Sequence, residues 1–363
     1  MRFGKLREGA RIRRAAIPFV FACALILGCA VAAGCSSQAE TNRSSGGRAN
    51  ETAAQNDAFP TTITDAGGRS VTIQEQPESI LTVYGLKYVL ALGLGDKVVN
   101  QSKGAFELAV APNMADGVPF GKDQMNAETI AQLEPDIFIH KAHADEMYDA
   151  LDKLGIAGLG IQMETPDEVV ATTELLGKAL GVEDRADMLC DYYENLMGKG
   201  ADLTKGIPDN QRPTAILMGN TIGKVANGSM LQSIMIEKAG GNNLAKDIES
   251  KETWPTVGTE QIFEWNPDYI FIMNSTARDY DAQSLLEDPA WQNIKAVQNG
   301  NVYVVPSDID SWEYPSLESA LGTLWMTHIM FPDKLGDAEF EAAVDDFYQT
   351  VYNVSFTREQ LNY

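Results

Sequence analysis

Short apolar runs alternate with amphipathic stretches over most of the chain. "SILTVY" (79–84), "KVVNQ" (97–101), "DIFIH" (136–140) and "AGLGIQM" (157–163) have the length and composition of buried strands, with stretches of helical period such as "ADEMYDALDKLG" (144–155) between them. That alternation predicts a parallel sheet with helices on its faces. Ahead of it, "TTITDAGGRSVTIQ" sets two β-branched runs around Gly67-Gly68, which predicts a hairpin. Between Pro166 and Gly206 the strand pattern stops. "PDEVVATTELLGKALG" predicts one helix and "VEDRADMLCDYYENLMGKGADLTKGI" a longer one, with Met188, Leu189, Tyr192, Leu196 and Leu203 at helical spacing. A helix of about 24 residues is roughly 35 Å long, enough to brace two lobes. Strands return in "TAILMGN" (214–220), "DYIFIMN" (268–274) and "NVYVVP" (301–306), and helical patterns at 316–331 and 338–352 close the chain.

The pattern also repeats. "AETIAQLEPDIFI" (127–139) and "TEQIFEWNPDYIFI" (259–272) each carry a Glu, Glu128 or Glu260, two positions before an Ile and seven and eight before a Pro-Asp pair. Each copy reads as a helix entering a strand, and the Pro-Asp pair as the boundary between them. The fold class expected is therefore α/β, as two three-layer α/β lobes with central, mostly parallel sheets joined by one long rigid helix. The expected divisions are 1–34, a signal peptide; 35–58, a tether; 59–182, the first lobe; 183–207, the connecting helix; 208–335, the second lobe; and 336–363, a helical extension.

The amino terminus differs in kind from the rest. Arg2, Lys5, Arg7, Arg11, Arg13 and Arg14 precede the apolar "AAIPFVFACALILGCAVAAG", the pattern of an export signal. Its end, Ala32-Ala33-Gly34-Cys35, resembles the bacterial lipobox, so Cys35 is the expected lipidation site. Cys29, after Ile26-Leu27-Gly28, is a second candidate, and an uncleaved anchor is the alternative. The polar "SSQAETNRSSGGRANETAAQND" that follows has too little apolar surface to fold. Beyond the signal Cys190 is the sole cysteine, on a helical pattern, which excludes an internal disulfide and predicts a buried thiol.

Removing the six basic residues and Glu8 of the signal from the 28 Lys+Arg and 51 Asp+Glu leaves 22 against 50, a formal charge near −28. That balance excludes nucleic acid as a partner, because phosphates require a basic footprint. It also offers little to an anionic membrane, so lipid would hold the protein there. No G-x-S-x-G, H-E-x-x-H, C-x-x-C or P-loop pattern points to an enzyme.

"DAGGRSVTI", "ETIAQLEPDIFI", "MLQSIMIEKAGGNNLA" (230–245), "WPTVGTEQIFEWNPDYIFI", "AWQNIKAVQNGNVYVVP" (290–306) and "SALGTLWMTHIMFPDKL" (319–335), in this order, carry a resemblance. From about residue 61 to 335 the chain resembles the class III, helical-backbone substrate-binding proteins of ABC importers, the iron-siderophore and vitamin B12 type, in lipoprotein form. The resemblance implies an extracytoplasmic, membrane-tethered monomer. It would capture a metal chelate between the lobes and hand it to a permease dimer with its own ATPase. Glu128 and Glu260 match the acids with which such proteins dock onto permease arginines.

In open α/β sheets ligands bind outside the carboxyl ends of the strands. Residues just past each strand are Tyr84, His140 with Lys141 and His143, Asn220 with Thr221, Asn274 with Ser275, and the segment 308–314. In that segment, "DIDSWEYP", the resemblance implies an aromatic ligand contact, with Trp312 the first candidate and Tyr314 the second. Trp254 resembles a cleft-lining feature of the family, and Lys122 in "GVPFGKDQMNAE" is placed to reach an anion. Of three histidines, His140 and His143 at i, i+3 could give two metal ligands, but a complete bare-metal site needs more and His328 lies on the closing helix. No cofactor is expected; a metal, if present, arrives within the ligand. Tyr314-Pro315 stands where several relatives carry a Pro-Arg pair, and the scarcity of arginine argues against an anionic ferric siderophore. The expected ligand is a metal chelate of iron-siderophore, corrinoid or haem type, with a neutral or cationic chelate also open; a molybdate- or tungstate-type oxyanion, a bare metal ion and a chelatase-like enzyme are the alternatives.

Overall fold

The computed structural model describes residues 58–363; the expected signal, Cys29 and Cys35 lie outside the described residues. Among the described residues no helix is long and apolar enough to cross a membrane. Strands β1 (Thr61–Thr64) and β2 (Ser70–Ile73) form an antiparallel hairpin. The Asp65 carboxylate accepts hydrogen bonds from the Gly67 and Arg69 amides inside its turn.

The first lobe is built on three parallel strands, β3 (Ile80–Thr82), β4 (Ile137–Lys141) and β5 (Ala157–Ile161), in the order β3-β4-β5. The second has β6 (Thr214–Met218), β7 (Asn242–Asn243), β8 (Tyr269–Ile272) and β9 (Val302–Val304), again all parallel, in the order β7-β6-β8-β9. One expected strand is absent. "KVVNQ" follows a 3₁₀ turn, Gly95–Lys97, and makes only isolated bridges to Ile80 and Val118. The Asn100 side chain has displaced a ladder there, accepting from the Thr82 amide and donating to its carbonyl.

Helix Pro166–Leu180 starts in a capping box of Thr165 with Glu168 and ends at Gly181, in the left-handed region at φ 71°. Helix Glu183–Leu203 follows at once and spans 21 residues. Its buried stripe runs through Leu189, Cys190, Tyr193, Leu196 and Met197, whereas Met188, expected on that stripe, is 37% exposed. Cys190 is buried, and burial together with nearby carboxylates pushes its thiol up to about 12.

Side chains alternate across both sheets with period two. Ile137 and Ile139 of β4 face one way and Phe138 the other, as do Leu217 of β6 and Phe271 of β8 against Ile216, Ile270 and Ile272. The inward sets of both lobes join one continuous core, through Leu189, Tyr193 and Leu196 of the long helix, Leu321 and Leu324 of helix Glu318–Met330, and Phe340, Val344 and Phe347 of helix Asp337–Tyr352. That last helix returns to the first lobe, where Tyr352 packs edge-on against Phe106 at 4.9 Å. Arg185, on the long helix, donates to the carbonyls of Thr350, Val351 and Ala91.

The repeat is visible as a shared construction. Glu128 lies in the first turn of helix Ala127–Gln132 and Glu260 in that of Thr259–Trp265, both exposed. Each helix gives way to a left-handed residue, Glu134 or Asn266, both at φ 47°, and then to the proline. The following aspartate then grips the start of the neighbouring strand. Asp136 accepts from the Glu78 and Ser79 amides, and Asp268 from the Thr214 amide and hydroxyl.

Candidate functional site

The carboxyl ends of β3, β4 and β5 face those of β6, β8 and β9 where the lobes meet. The Leu231 amide donates to Glu164 O at 3.0 Å and the Tyr88 hydroxyl to Pro315 O at 3.1 Å, so segments that follow the strands of the two lobes are in direct contact.

Tyr84 is the centre of the first wall. It follows β3 in a turn closed by a 2.9 Å hydrogen bond from the Gly85 amide to Thr82 Oγ1, tight enough that a Cβ at Gly85 would lie 2.7 Å from Ile139. The Lys122 and Lys141 ammonium groups lie 5.2 and 5.1 Å from the Tyr84 ring centroid, and the His140 ring sits 5.0 Å from it. Lys141 pairs with Glu164 at 2.9 Å; burial opposes its charge, but that carboxylate outweighs burial and raises its pKa. Lys122 is exposed and has no ion pair among the described residues. His140 is 7% exposed, and burial, reinforced by Lys141, lowers its pKa, which keeps the imidazole neutral.

The opposite wall carries Trp254, Asn220, Asn274 and Tyr314. Trp254, at φ 62°, lies against Gly219, where a Cβ would come 2.9 Å from the indole. Asn274 donates from its amide to Glu313 Oε1 at 2.9 Å and from Nδ2 to Asp308 at 3.4 Å. Tyr314 is 38% exposed, with the Lys87 ammonium of the first lobe 5.4 Å from its ring centroid. His140 Nδ1, one residue before the end of β4, and Asn220 Oδ1, two residues past the end of β6, are the buried side-chain atoms without a hydrogen-bond partner among the described residues, one per lobe. Buried polar atoms are normally paired, and these two are exceptions among the described residues.

Trp312 requires a correction. It is fully buried, donates from Nε1 to the Tyr348 hydroxyl at 2.9 Å, and packs on Tyr363 and Phe340 with centroids 5.4 and 6.1 Å away. It has no surface to offer a ligand; Tyr314, two residues on, has. His143 is exposed, at φ 67°, and His328 stacks on Phe340 at 4.9 Å. Among the described residues no three His, Cys, Asp or Glu side chains come together as a metal site.

Sequence reasoning passed over Lys87, Glu164 and Glu313. Glu313 stands between the two candidate aromatics, whereas nothing local marks Lys87, whose ammonium bonds to Asp310 and lies 3.9 Å from Glu318 in the other lobe. A cavity of about 120 Å³ lined by Lys141, His143, Gln162 and Glu164 adjoins the first wall. A larger hollow of about 520 Å³, beside Pro135 and Asp136, lies at the opposite ends of the strands.

A sequence profile of the periplasmic binding protein family matches residues 80–309. The chain is 25% identical to the molybdate-binding protein MolA of Haemophilus influenzae, over 81% of this chain and 89% of that protein. It is 26% identical to a cobalamin-binding protein of Halobacterium salinarum, over 68% of each. A periplasmic solute binding protein from Veillonella parvula has a crystal structure that superposes with a TM-score of 0.70 at 26% identity, covering 83% of this chain and 97% of that one.

Proposed function

The chain belongs to the periplasmic binding protein family, whose members are substrate-binding components of ABC transporters, and we propose that it captures a small anionic ligand between its lobes. The ligand class is an anionic metal chelate or a compact oxyanion. The observation that carries this is the Tyr84 ring with two ammonium groups beside it, in a chain where acids outnumber bases 51 to 28. Glu164 balances Lys141, so Lys122, without an ion pair among the described residues, supplies the unmatched positive charge that a negative ligand would meet at this wall. Lysine thus supplies the charge that the scarcity of arginine withheld, which returns anionic chelates to the candidates. That MolA is a molybdate-binding protein agrees with the reading. Tyr314, Trp254, Asn220 and Asn274 would close on the ligand from the other lobe.

In this reading the family's extracytoplasmic location is secured by lipid on Cys35, Glu128 and Glu260 meet a permease dimer, and the protein acts as a monomer without chemistry of its own. The test is calorimetric titration of the purified chain with molybdate, ferric citrate and cyanocobalamin. At least one of the two anions is expected to bind, and Lys122→Met to weaken it about tenfold, the loss of roughly 1.4 kcal/mol. Binding of the corrinoid alone, with both anions refused, would overturn the proposal.

A further inference from the structure

Glu313 lies beneath the cleft surface of the second lobe, 2% exposed, between the buried Trp312 and the exposed Tyr314. Its side chain joins separate segments of that wall. Oε1 accepts from the Asn274 amide, just past β8, at 2.9 Å, and Oε2 accepts from Ser311 Oγ at 2.9 Å. Its backbone carbonyl accepts from Gln232 Nε2, on helix Leu231–Lys238, at 2.9 Å. Glu313 has no ion pair among the described residues. The cation that acts on it, Lys87 of helix Leu86–Ala91, is committed to Asp310 and Glu318. Other charged or ionisable groups around this wall are Asp308, bonded to Asn274, Arg278, which donates to the Met273 carbonyl beside Asn274, and Tyr314, which feels Lys141, Glu164 and Tyr84 across the cleft.

From this geometry we infer that Glu313 is a positioning residue of the ligand site, an unpaired buried acid that couples the ligand's negative charge to the hydrogen bonds shaping the second wall. The inference rests on the anionic ligand proposed above. A buried carboxylate without a counter-ion is costly when ionised, and an anion arriving beside it raises that cost. Burial already pushes Glu313 up to about 7, with its hydrogen bonds and Lys87 working against the shift. Ligand binding therefore favours the protonated acid, and above neutral pH it is accompanied by uptake of up to one proton. No bond is made or broken beyond that transfer from solvent.

The stability consequence has a definite sign. An acid whose folded pKa lies above its unfolded value binds its proton more tightly when folded. Wild-type stability therefore declines as pH rises from about 4.5 through about 7 on account of this group. Glu313→Gln keeps the shape and an acceptor for Asn274, and removes the titration.

The experiment measures molybdate and ferric citrate binding from pH 6 to 8 in wild type and Glu313→Gln, with thermal unfolding of both proteins alongside. Molybdate is the cleaner probe, because its own charge is constant in that range. If binding requires the protonated acid, wild-type affinity falls by up to about tenfold from pH 6 to pH 8. The Glu313→Gln profile stays flat within about twofold, and its stability relative to wild type improves with rising pH. A flat wild-type profile, or a wild-type slope retained in Glu313→Gln, would overturn the role of Glu313 and leave the anionic ligand standing. Failure of both anions to bind wild type at any pH would overturn the anionic ligand, and this inference with it.

Discussion

Trp312 and Tyr314 show how far two residues can separate roles. After β9 the chain turns tightly, with Ser307 Oγ accepting from the Asp310 amide at 3.1 Å and the Trp312 amide donating to Pro306 O at 2.8 Å. That turn sends Trp312 under the loop onto the closing helix, where Tyr348 takes its N–H, and brings Tyr314 out beside Lys87. Trp312→Phe is accordingly expected to cost about 2 kcal/mol of stability, from the lost hydrogen bond and the space left by the indole, while changing ligand affinity less than twofold. Tyr314→Ala is expected to do the reverse. Urea unfolding and calorimetry on both variants check this, and a Trp312→Phe protein of normal stability with weakened binding would restore Trp312 to the cleft wall. An aromatic after a strand could be found in the sequence, but its direction depends on hydrogen bonds that composition does not encode. Cys190 was readable because helical period and apolar neighbours suffice to bury a thiol.

At the scale of elements the doubled helix-to-strand unit was the most legible feature, and the structure gives each part of it a cause. The left-handed residue ends the helix, the proline prevents its continuation, and the aspartate fixes the next strand's start. Asp268 shows the last step energetically. Burial alone would raise its pKa, yet hydrogen bonds from Thr214 and the Lys295 charge outweigh it and hold the carboxyl below the usual range. None of this requires a glutamate in the first turn, where an acid gains only about 0.3–1 kcal/mol from the helix dipole. Glu128 and Glu260 are exposed, and their side chains make no ion pair among the described residues, so both are available for a partner. Reversing both, Glu128→Arg with Glu260→Arg, is expected to leave molybdate or ferric citrate affinity within twofold and to abolish uptake in reconstituted transport. Unchanged uptake would reduce the acids to helix-dipole partners. "KVVNQ" is the element the pattern misread, since a β-branched run looks the same whether the ladder is made by backbone or, as at Asn100, by a side chain.

For the whole molecule, two lobes and a long brace could be anticipated from alternation and its interruption, whereas the ties across the lobes could not. Lys87 and Asp310 stand 223 residues apart, and Arg185 and Val351 stand 166 apart, so no local pattern announces either pair. These ties govern how the protein moves. The inward faces of both sheets share one core with the long helix and helix Asp337–Tyr352, so opening the lobes would separate packed apolar surface along with the ion pairs. In the Lys87 junction both carboxylates are fully buried and the lysine side chain is 19% exposed. Burial opposes the Lys87 charge, but Asp310 and Glu318 outweigh it, while the Tyr348 and Tyr352 hydroxyls bond to the same two carboxyls. Such a cluster is costly to break because any member left behind is an uncompensated buried charge, worth about 3–5 kcal/mol. Ligand binding should therefore shift the lobes by much less than hinged two-lobe proteins move, and a closure above about 20° between free and loaded protein would contradict this. Distances between spin labels placed one on each lobe, read with and without ligand, supply the measurement. Lys87→Met is the decisive comparison: it should lower stability by several kcal/mol and broaden the interlobe distances of the unliganded protein. If Lys87→Met left both the stability and the distance distribution unchanged, the shared core alone would account for the rigidity.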